Sequence, residues 1–496
     1  MITDKRSSGI LLPISALPSR YGIGDLGSEA YRFIDFLKKA GQRYWQILPI
    51  GPCGYGDSPY QSFSSFAGNP YFIDFDALIA AGLLRPQEAE AVCWGSDPAQ
   101  VDYGTLYEKR LGVLHIAFER FSAVHRDVLA AYARQQADWL PDYALFMAVK
   151  KQFGDRPWTQ WPEELRLRRA DAVADQRAAL ADEIDFQIFL QYEFDLQWQA
   201  LVRYARENSI RIIGDIPIYV PLDSADVWTA PENFLLTRTR RPRVVAGCPP
   251  DAFTRDGQYW GNPIYDWEKM RQDGFSWWLR RVGAAAKRFD VIRFDHFRGL
   301  ESYWSIPAGN KTARKGHWEK GPGEVFLDTV RSAYPDTDFI AEDLGYLTPE
   351  VTALVRYSGW PGMKVLEFAF DPREPGEYLP HTYGENCICY TGTHDNETLA
   401  QWCAGQPSEV IGFAREYLGI TAQDDLAGAV LRAGITSRAG LFIAEMQDYL
   451  RLGAEARMNF PGHLLPGNWR WRMTPGQADD ALAAQIRALT RAAGRE

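Results

Sequence analysis

Long apolar runs are missing from this chain. Nothing in its 496 residues approaches the roughly 18 consecutive apolar residues of a membrane-crossing helix. The run at residues 9–12, cut off by Pro13, is too short for the apolar region of a secretory signal. No membrane partner is expected, and the cytoplasm is the expected compartment. Positive charge is in deficit: 54 Lys and Arg stand against 64 Asp and Glu, a formal net charge of -10. That balance disfavours nucleic acid or an anionic surface as the main partner. Cysteine is scarce, and the six present (Cys53, Cys93, Cys248, Cys387, Cys389 and Cys403) form no CxxC pair. On a strand, Cys387 and Cys389 would share one face, so they are read as reduced thiols in a reducing compartment. HExxH, clustered Cys/His and calcium-loop patterns are all absent. "GIGDLG" at 22–27 lacks the spacing of a phosphate-cradling or dinucleotide-binding loop. No metal and no cofactor are therefore expected.

Aromatic residues, by contrast, are plentiful at 14%, with 17 Trp. Large cores account for them, and so do platforms for a flat, partly apolar ligand such as a sugar ring. Trp158 and Trp161 fit either reading.

Short apolar runs alternate with helical stretches along the chain. Strand candidates are "GILLPIS", "YWQILPIGP", "IRIIGDIPIYV", "FDVIRFDHF", "TDFIAEDLG", "MKVLEFAF", "NCICYTGTHD" and, least clearly, "EARMNFPG". Helix candidates lie between most of them, at 28–41, 196–208, 274–288, 324–333 and 349–357. Unbroken apolar runs suit strands covered on both faces. Repeated strand–helix alternation indicates a doubly wound sheet or a (β/α)8 barrel. The expected fold is α/β, a (β/α)8 TIM barrel running through residues 1–496 as one catalytic unit. Two regions depart from the rhythm. Residues 75–200 read as an inserted, mostly helical subdomain. Residues 221–270, rich in Pro, Gly, Asp and Trp, read as a loop-rich insertion over the active site. "KTARKGHWEKG" at 311–321 reads as a solvated basic loop. "PGQADDALAAQIRALTRAA" reads as a closing helix, with no C-terminal β-sandwich expected after it.

Charge gathers where these strands end. Asp215, the Arg293–Asp295–His296 group, Glu342 with Asp343, and the His394–Asp395–Asn396 group each follow an apolar run. In a parallel barrel those ends meet at one rim, where chemistry sits. A lone carboxylate is more often a cap or an ion-pair partner; carboxylates from several strand ends together are not. Alternation puts Arg293, Asp295 and Phe297 on one face and Phe294 and His296 on the other. An arginine beside a carboxylate holds it ionised and oriented, as a nucleophile requires. A second carboxyl with raised pKa would complete retaining glycoside chemistry.

The segments "DSPYQSFSSFAGNPYFIDFD", "GDIPIYVPLDSADVW", "GCPPDAFTRDGQYWGNPIYDW", "VIRFDHFRG", "FIAEDLG", "TGTHDNET" and "MNFPGHLLPGNWRWR" together resemble the amylomaltases. These are 4-alpha-glucanotransferases, also called disproportionating enzymes, within the alpha-amylase clan. The resemblance runs over about residues 8–472 and lacks the large N-terminal extension of some members. It implies that Asp295 is the nucleophile, Glu342 the general acid/base and Asp395 the third carboxylate gripping the distorted sugar. It further implies substrate-binding roles for Tyr60, Asp215, Trp260, Arg293, His394 and Asn468. His463 and the second proline in "PGHLLPGNW" depart from the family pattern. The implied activity is retaining transfer of an α-1,4-glucan segment to a 4-hydroxyl. Donors would be maltooligosaccharides, amylose or glycogen-derived glucans, and glucose would serve as an acceptor for a monomer or small homo-oligomer. An α-1,4-glucan hydrolase and a non-catalytic glucan-binding protein are the competing readings. Intact Asp295, Glu342 and Asp395 speak against the latter.

Overall fold

A computed structural model describes all residues except 1, 55, 251–254, 346, 374, 375, 377 and 464. The apolar runs become strands, and the chain order is β1 (Ser7–Leu11), β2 (Tyr44–Gln46), β3 (Arg211–Pro217), β4 (Val244–Cys248), β5 (Gln258–Pro263), β6 (Val291–Asp295), β7 (Ser302–Pro307), β8 (His317–Lys320), β9 (Asp338–Ala341), β10 (Gly362–Val365), β11 (Cys387–Tyr390) and β12 (Leu441–Glu445). Eight of these pair in the order β10-β11-β12-β1-β2-β3-β6-β9, and every pairing is parallel. The two ends of this row meet at a seam. There the Ala341 N–H donates to the Pro361 carbonyl at 3.0 Å, and the Met363 N–H donates to Asp343 Oδ1 at 2.7 Å. The result is a near-closed (β/α)8 barrel, as the strand–helix alternation predicts.

Period-two alternation divides each strand between two cores. Leu11, Tyr44, Ile213, Val291, Ile340, Val365, Ile388 and Ile443 pack into one buried cluster, the barrel interior. Ile10, Trp45, Ile212, Ile292, Phe339 and Phe442 point the other way, into the larger core shared with the helices. The helices supply the matching stripes. In Ser28–Lys39 the residues Ala30, Phe33, Ile34 and Leu37 are buried, which is helical spacing for one face. The C-terminal helix Asp480–Ala492 starts where the Asp479 side chain accepts the Leu482 N–H, a serviceable N-cap.

Between β2 and β3 the chain is a run of helices, including Phe75–Ala80, Leu111–Gln135, Leu140–Gln152, Ala170–Ala179 and Ala181–Glu207. Trp158 and Trp161 belong to its packing: both are buried, and Trp161 meets Phe146 and Trp228 edge on or tilted. Neither lies open on a groove.

Three expectations change. The eighth barrel strand is β12, "LFIAE", and not "EARMNFPG", which holds only a 3-10 turn at Ala454–Ala456. "LFIAE" runs without a break into the helix Met446–Tyr449, so no polar residue marks its end. Second, the stretches expected to be loops at 221–270 and 311–321 each contribute strands to one sheet. That antiparallel sheet has the order β5-β4-β7-β8. Its alternation is interrupted by a bulge between Val245 and Gly247. A Cβ on Gly247 would lie 2.2 Å from the Gln258 carbonyl oxygen, so the strand needs glycine there and reads as a loop. Residues 251–254, inside that region, lie outside the described residues. Third, strand geometry stops at Asp295: His296 has a left-handed φ of 53° and does not continue the face of Phe294. Among the described residues, no helix is long and apolar enough to cross a membrane.

Candidate active site

The interior stripe changes character at the C-terminal end of the barrel. On β3 the inward parity runs from Ile213 to Asp215. On β6 it runs from Val291 to Arg293 and Asp295, and on β9 from Ile340 to Glu342. Registers align these positions, with Asp215 opposite Arg293 and Phe294 opposite Ala341. Asp295 closes β6, Glu342 follows β9 by one residue, and Asp215 sits within β3. A single barrel mouth therefore collects them.

Arg293 is the hub. Its Nη1 donates to Asp215 Oδ2 at 2.6 Å and to Asp295 Oδ1 at 2.9 Å. Burial works against its charge, but Asp215, Asp295, Tyr60 and Glu342 outweigh burial and hold the guanidinium protonated. Charge-assisted bonds of this kind are short and fix orientation. Tyr60 donates its hydroxyl to the same Asp215 Oδ2 at 2.8 Å. The other oxygen, Asp215 Oδ1, is buried with no hydrogen-bond partner. A buried acceptor left unpaired is costly, and at a barrel mouth such an acceptor suits a ligand hydroxyl.

Glu342 extends the sheet by one more rung. Its N–H donates to the Phe294 carbonyl, and its own carbonyl accepts from the Phe297 N–H, both at 3.0 Å. Its carboxyl is gripped by backbone. Oε2 accepts the His296 N–H at 2.7 Å and Oε1 accepts the Leu344 N–H at 2.8 Å. Burial pushes the Glu342 carboxyl up to about 7; Arg293 opposes the rise and the charge of Asp295 adds to it. A carboxyl balanced there can both give and take a proton near neutrality. The left-handed turn at His296 supplies one of those N–H groups. Its ring packs edge-to-face on Trp260, centroids 4.8 Å apart at 90°. Burial pushes the imidazole down to about 4, leaving it neutral at neutral pH.

Asp395 comes from the turn after β11. The Asn396 Oδ1 accepts from the Thr393 N–H at 3.0 Å and from its hydroxyl at 2.8 Å. The Asp395 side chain is 45% exposed, and its Oδ1 accepts from Asn459 Nδ2 at 2.6 Å. His394 Nε2 lies 3.5 Å from the same oxygen. The buried His394 ring stacks on Tyr60 with centroids 5.1 Å apart at 17°. Trp469 tilts against both rings, at 5.8 Å and 6.1 Å. Tyr60, His394 and Trp469 thus form an aromatic wall beside Asp215 and Asp395.

Tyr60, Asp215, Arg293, Asp295, Glu342, His394 and Asp395 are joined by these contacts, and Trp260 joins through His296. Asn468 is placed differently. Its Oδ1 accepts the Phe460 N–H at 3.3 Å and its Nδ2 donates to the His463 carbonyl at 2.9 Å, so its amide braces the loop. Its neighbour Trp469, with a left-handed φ of 66°, is the residue that reaches the wall. Two further carboxylates continue the interior parity, Glu367 beyond β10 and Glu445 at the end of β12. Burial pushes both far above the ordinary carboxylate range.

A family model described as 4-alpha-glucanotransferase matches residues 12–478. The 4-alpha-glucanotransferase of Clostridium butyricum is 45% identical over 484 residues, covering 97% of this chain and 99% of that one. The 4-alpha-glucanotransferase of Thermus thermophilus is 46% identical over 501 residues, covering 99% of each. A solved structure described as amylomaltase from Streptococcus agalactiae in complex with acarbose superposes with a TM-score of 0.96. It is 39% identical and covers 99% of this chain and 100% of that one.

Proposed function

The chain belongs to the 4-alpha-glucanotransferase family and acts on alpha-1,4-glucans, and from that premise we propose how its own residues carry the transfer. Glu342, protonated, gives its proton to the glycosidic oxygen while Asp295 attacks the anomeric carbon. The bond from that carbon to the leaving glucan breaks, and the non-reducing-side segment is held on Asp295 as a β-linked ester. The 4-hydroxyl of glucose or another glucan then enters. Glu342, now a carboxylate, takes the hydroxyl proton, the α-1,4 bond forms and the ester bond to Asp295 breaks. Two inversions give net retention. Asp395 grips the distorted, positively charged ring more tightly than the ground-state chair.

Substrate contacts follow from the chemistry of the wall. Asp215 Oδ1, buried and unpaired, accepts a sugar hydroxyl. Tyr60, His394 and Trp469 pack on the reacting ring, and Trp260 covers the bound glucan. Arg293 keeps Asp215 and Asp295 in place. Asn468 acts through the loop it braces. Residues 75–200 are read as an inserted helical subdomain and 221–270 as a wall over the site that favours sugar over water as acceptor. The Streptococcus agalactiae relative is described with acarbose, and that compound is expected to inhibit here. Six unpaired cysteines suit a reducing compartment such as the cytoplasm.

The observation that carries the mechanism is the position of Glu342. The residue after Asp295 donates its N–H to the Glu342 carboxyl at 2.7 Å, and burial tunes that carboxyl to about 7. Incubation with maltotriose tests transfer against hydrolysis. A ladder of longer maltodextrins plus glucose is expected. Maltose and glucose without longer products would mean that water, not sugar, accepts the segment.

A further inference from the structure

Asp215 and Asp295 share an arginine, and Glu342 is held by two backbone N–H groups. Asp395 has neither. Its side chain is half exposed, and among the described residues its carboxylate takes one side-chain hydrogen bond shorter than 3 Å, from Asn459 Nδ2 at 2.6 Å. A group meant to meet a developing charge must be oriented before the reaction. The orientation of Asp395 therefore depends on where Asn459 sits.

Arg457 settles where Asn459 sits. Its Nη2 donates to the main-chain carbonyl of Asp395 at 3.1 Å, and its Nε donates to the main-chain carbonyl of Asn459 at 2.9 Å. One guanidinium thus ties together the two backbones whose side chains meet above it. Arg457 is anchored in turn. Its Nη1 lies 3.7 Å from Glu397 Oε1, and its guanidinium lies over the Phe460 ring at 3.9 Å. Beneath the loop, Asp448 accepts from the Thr391 hydroxyl and from the Leu399 N–H at 2.7 Å. Glu367 abuts the same loop: a Cβ on Gly392 would lie 3.1 Å from its Oε1. Farther along, the segment reaches Trp469 and the aromatic wall.

We propose that Asn459 is a positioning residue for the transfer, with Arg457 as its support: the Arg457–Asn459 clamp aims the Asp395 carboxylate at the reacting sugar. The inference rests on the role assigned to Asp395, so the experiment separates the two. Asn459→Ala, Asp395→Asn and the double variant are compared by initial rates on maltotriose, with Tm recorded for each. A hydrogen bond to a charged group is worth enough that Asn459→Ala should lower kcat about ten- to hundred-fold. KM should stay within about two-fold, because the contact matters in the transition state. On the Asp395→Asn background, adding Asn459→Ala should change kcat little, since the group it aims is already altered. A purely structural role would instead add its full loss there and lower Tm. Wild-type kcat in Asn459→Ala, or full additivity, overturns the clamp. Wild-type turnover in Asp395→Asn overturns the role of Asp395 itself, whatever Asn459 does. Should Asn459→Ala not fold, Asn459→Asp keeps the shape, replaces the donor by an acceptor and is held to the same outcomes.

Discussion

Glu342→Gln is expected to slow maltotriose disproportionation about 10²- to 10⁴-fold, the range that a positioned acid/base contributes. The pH profile gives the sharper reading. Burial raises the Glu342 carboxyl from its ordinary range to about 7, so below that pH it holds the proton needed for departure of the leaving glucan. As pH rises through about 7 the proton is lost, and kcat/KM, which reports the free enzyme, should fall about ten-fold per unit. In Glu342→Gln that alkaline limb should vanish with the group that causes it. Maltosyl fluoride separates the two half-reactions, because fluoride leaves without a proton. With that donor the variant should still form the ester but release it slowly for want of a base, so a maltosyl adduct should accumulate and register in the intact mass. Wild-type turnover in Glu342→Gln, or an alkaline limb that survives the substitution, would remove Glu342 from the role.

The barrel and the three carboxylates were legible because both follow from a period of two. Ile213 to Asp215, Val291 to Asp295 and Ile340 to Glu342 keep one parity, and the residue type switches from apolar to charged where the interior opens. A reader of the sequence sees that switch directly. Asp395 was legible differently, through a family motif, since it lies in a turn beyond β11 with no parity to follow. Glu367 and Glu445 obey the same parity rule and were passed over. The first follows a strand of only four residues, and the second ends a strand that merges with a helix. The small sheet escaped because its bulge and glycines break alternation, and because its strands come from separate stretches of chain. Asn459 lay out of reach for a plainer reason. Its partner is 64 residues away, and neither residue carries a local signal of the other. Asn468 and Trp469 show a related limit. The motif marked the place, while only the fold decided which of the two neighbours faces the wall.

Asp295→Ala removes the atom that forms the covalent bond, and the expected loss is at least about 10⁴-fold, on the scale seen when an enzyme loses its nucleophile. The fold should survive the change. Arg293 keeps its bond to Asp215 at 2.6 Å, so no buried cation is stranded, and the Asp295 side chain is 26% exposed and leaves little cavity. Chemical rescue then tests the direction of attack. Azide is small enough to enter the space vacated by the carboxylate, and with maltosyl fluoride as donor it should attack from the face that Asp295 uses. That route contains one inversion and not two, so an α-configured donor should give a β-maltosyl azide, readable from the anomeric proton coupling. An α-azide, or transfer at wild-type rate without azide, would place the nucleophile elsewhere. The rescue also discriminates between the carboxylates. Asp215 stays bonded to Arg293 and Tyr60 and faces the sugar with an oxygen suited to a hydroxyl, so Asp215→Ala should weaken binding and turnover without giving any azide product. A rescued product from Asp295→Ala and none from Asp215→Ala would assign the covalent step to the last residue of β6.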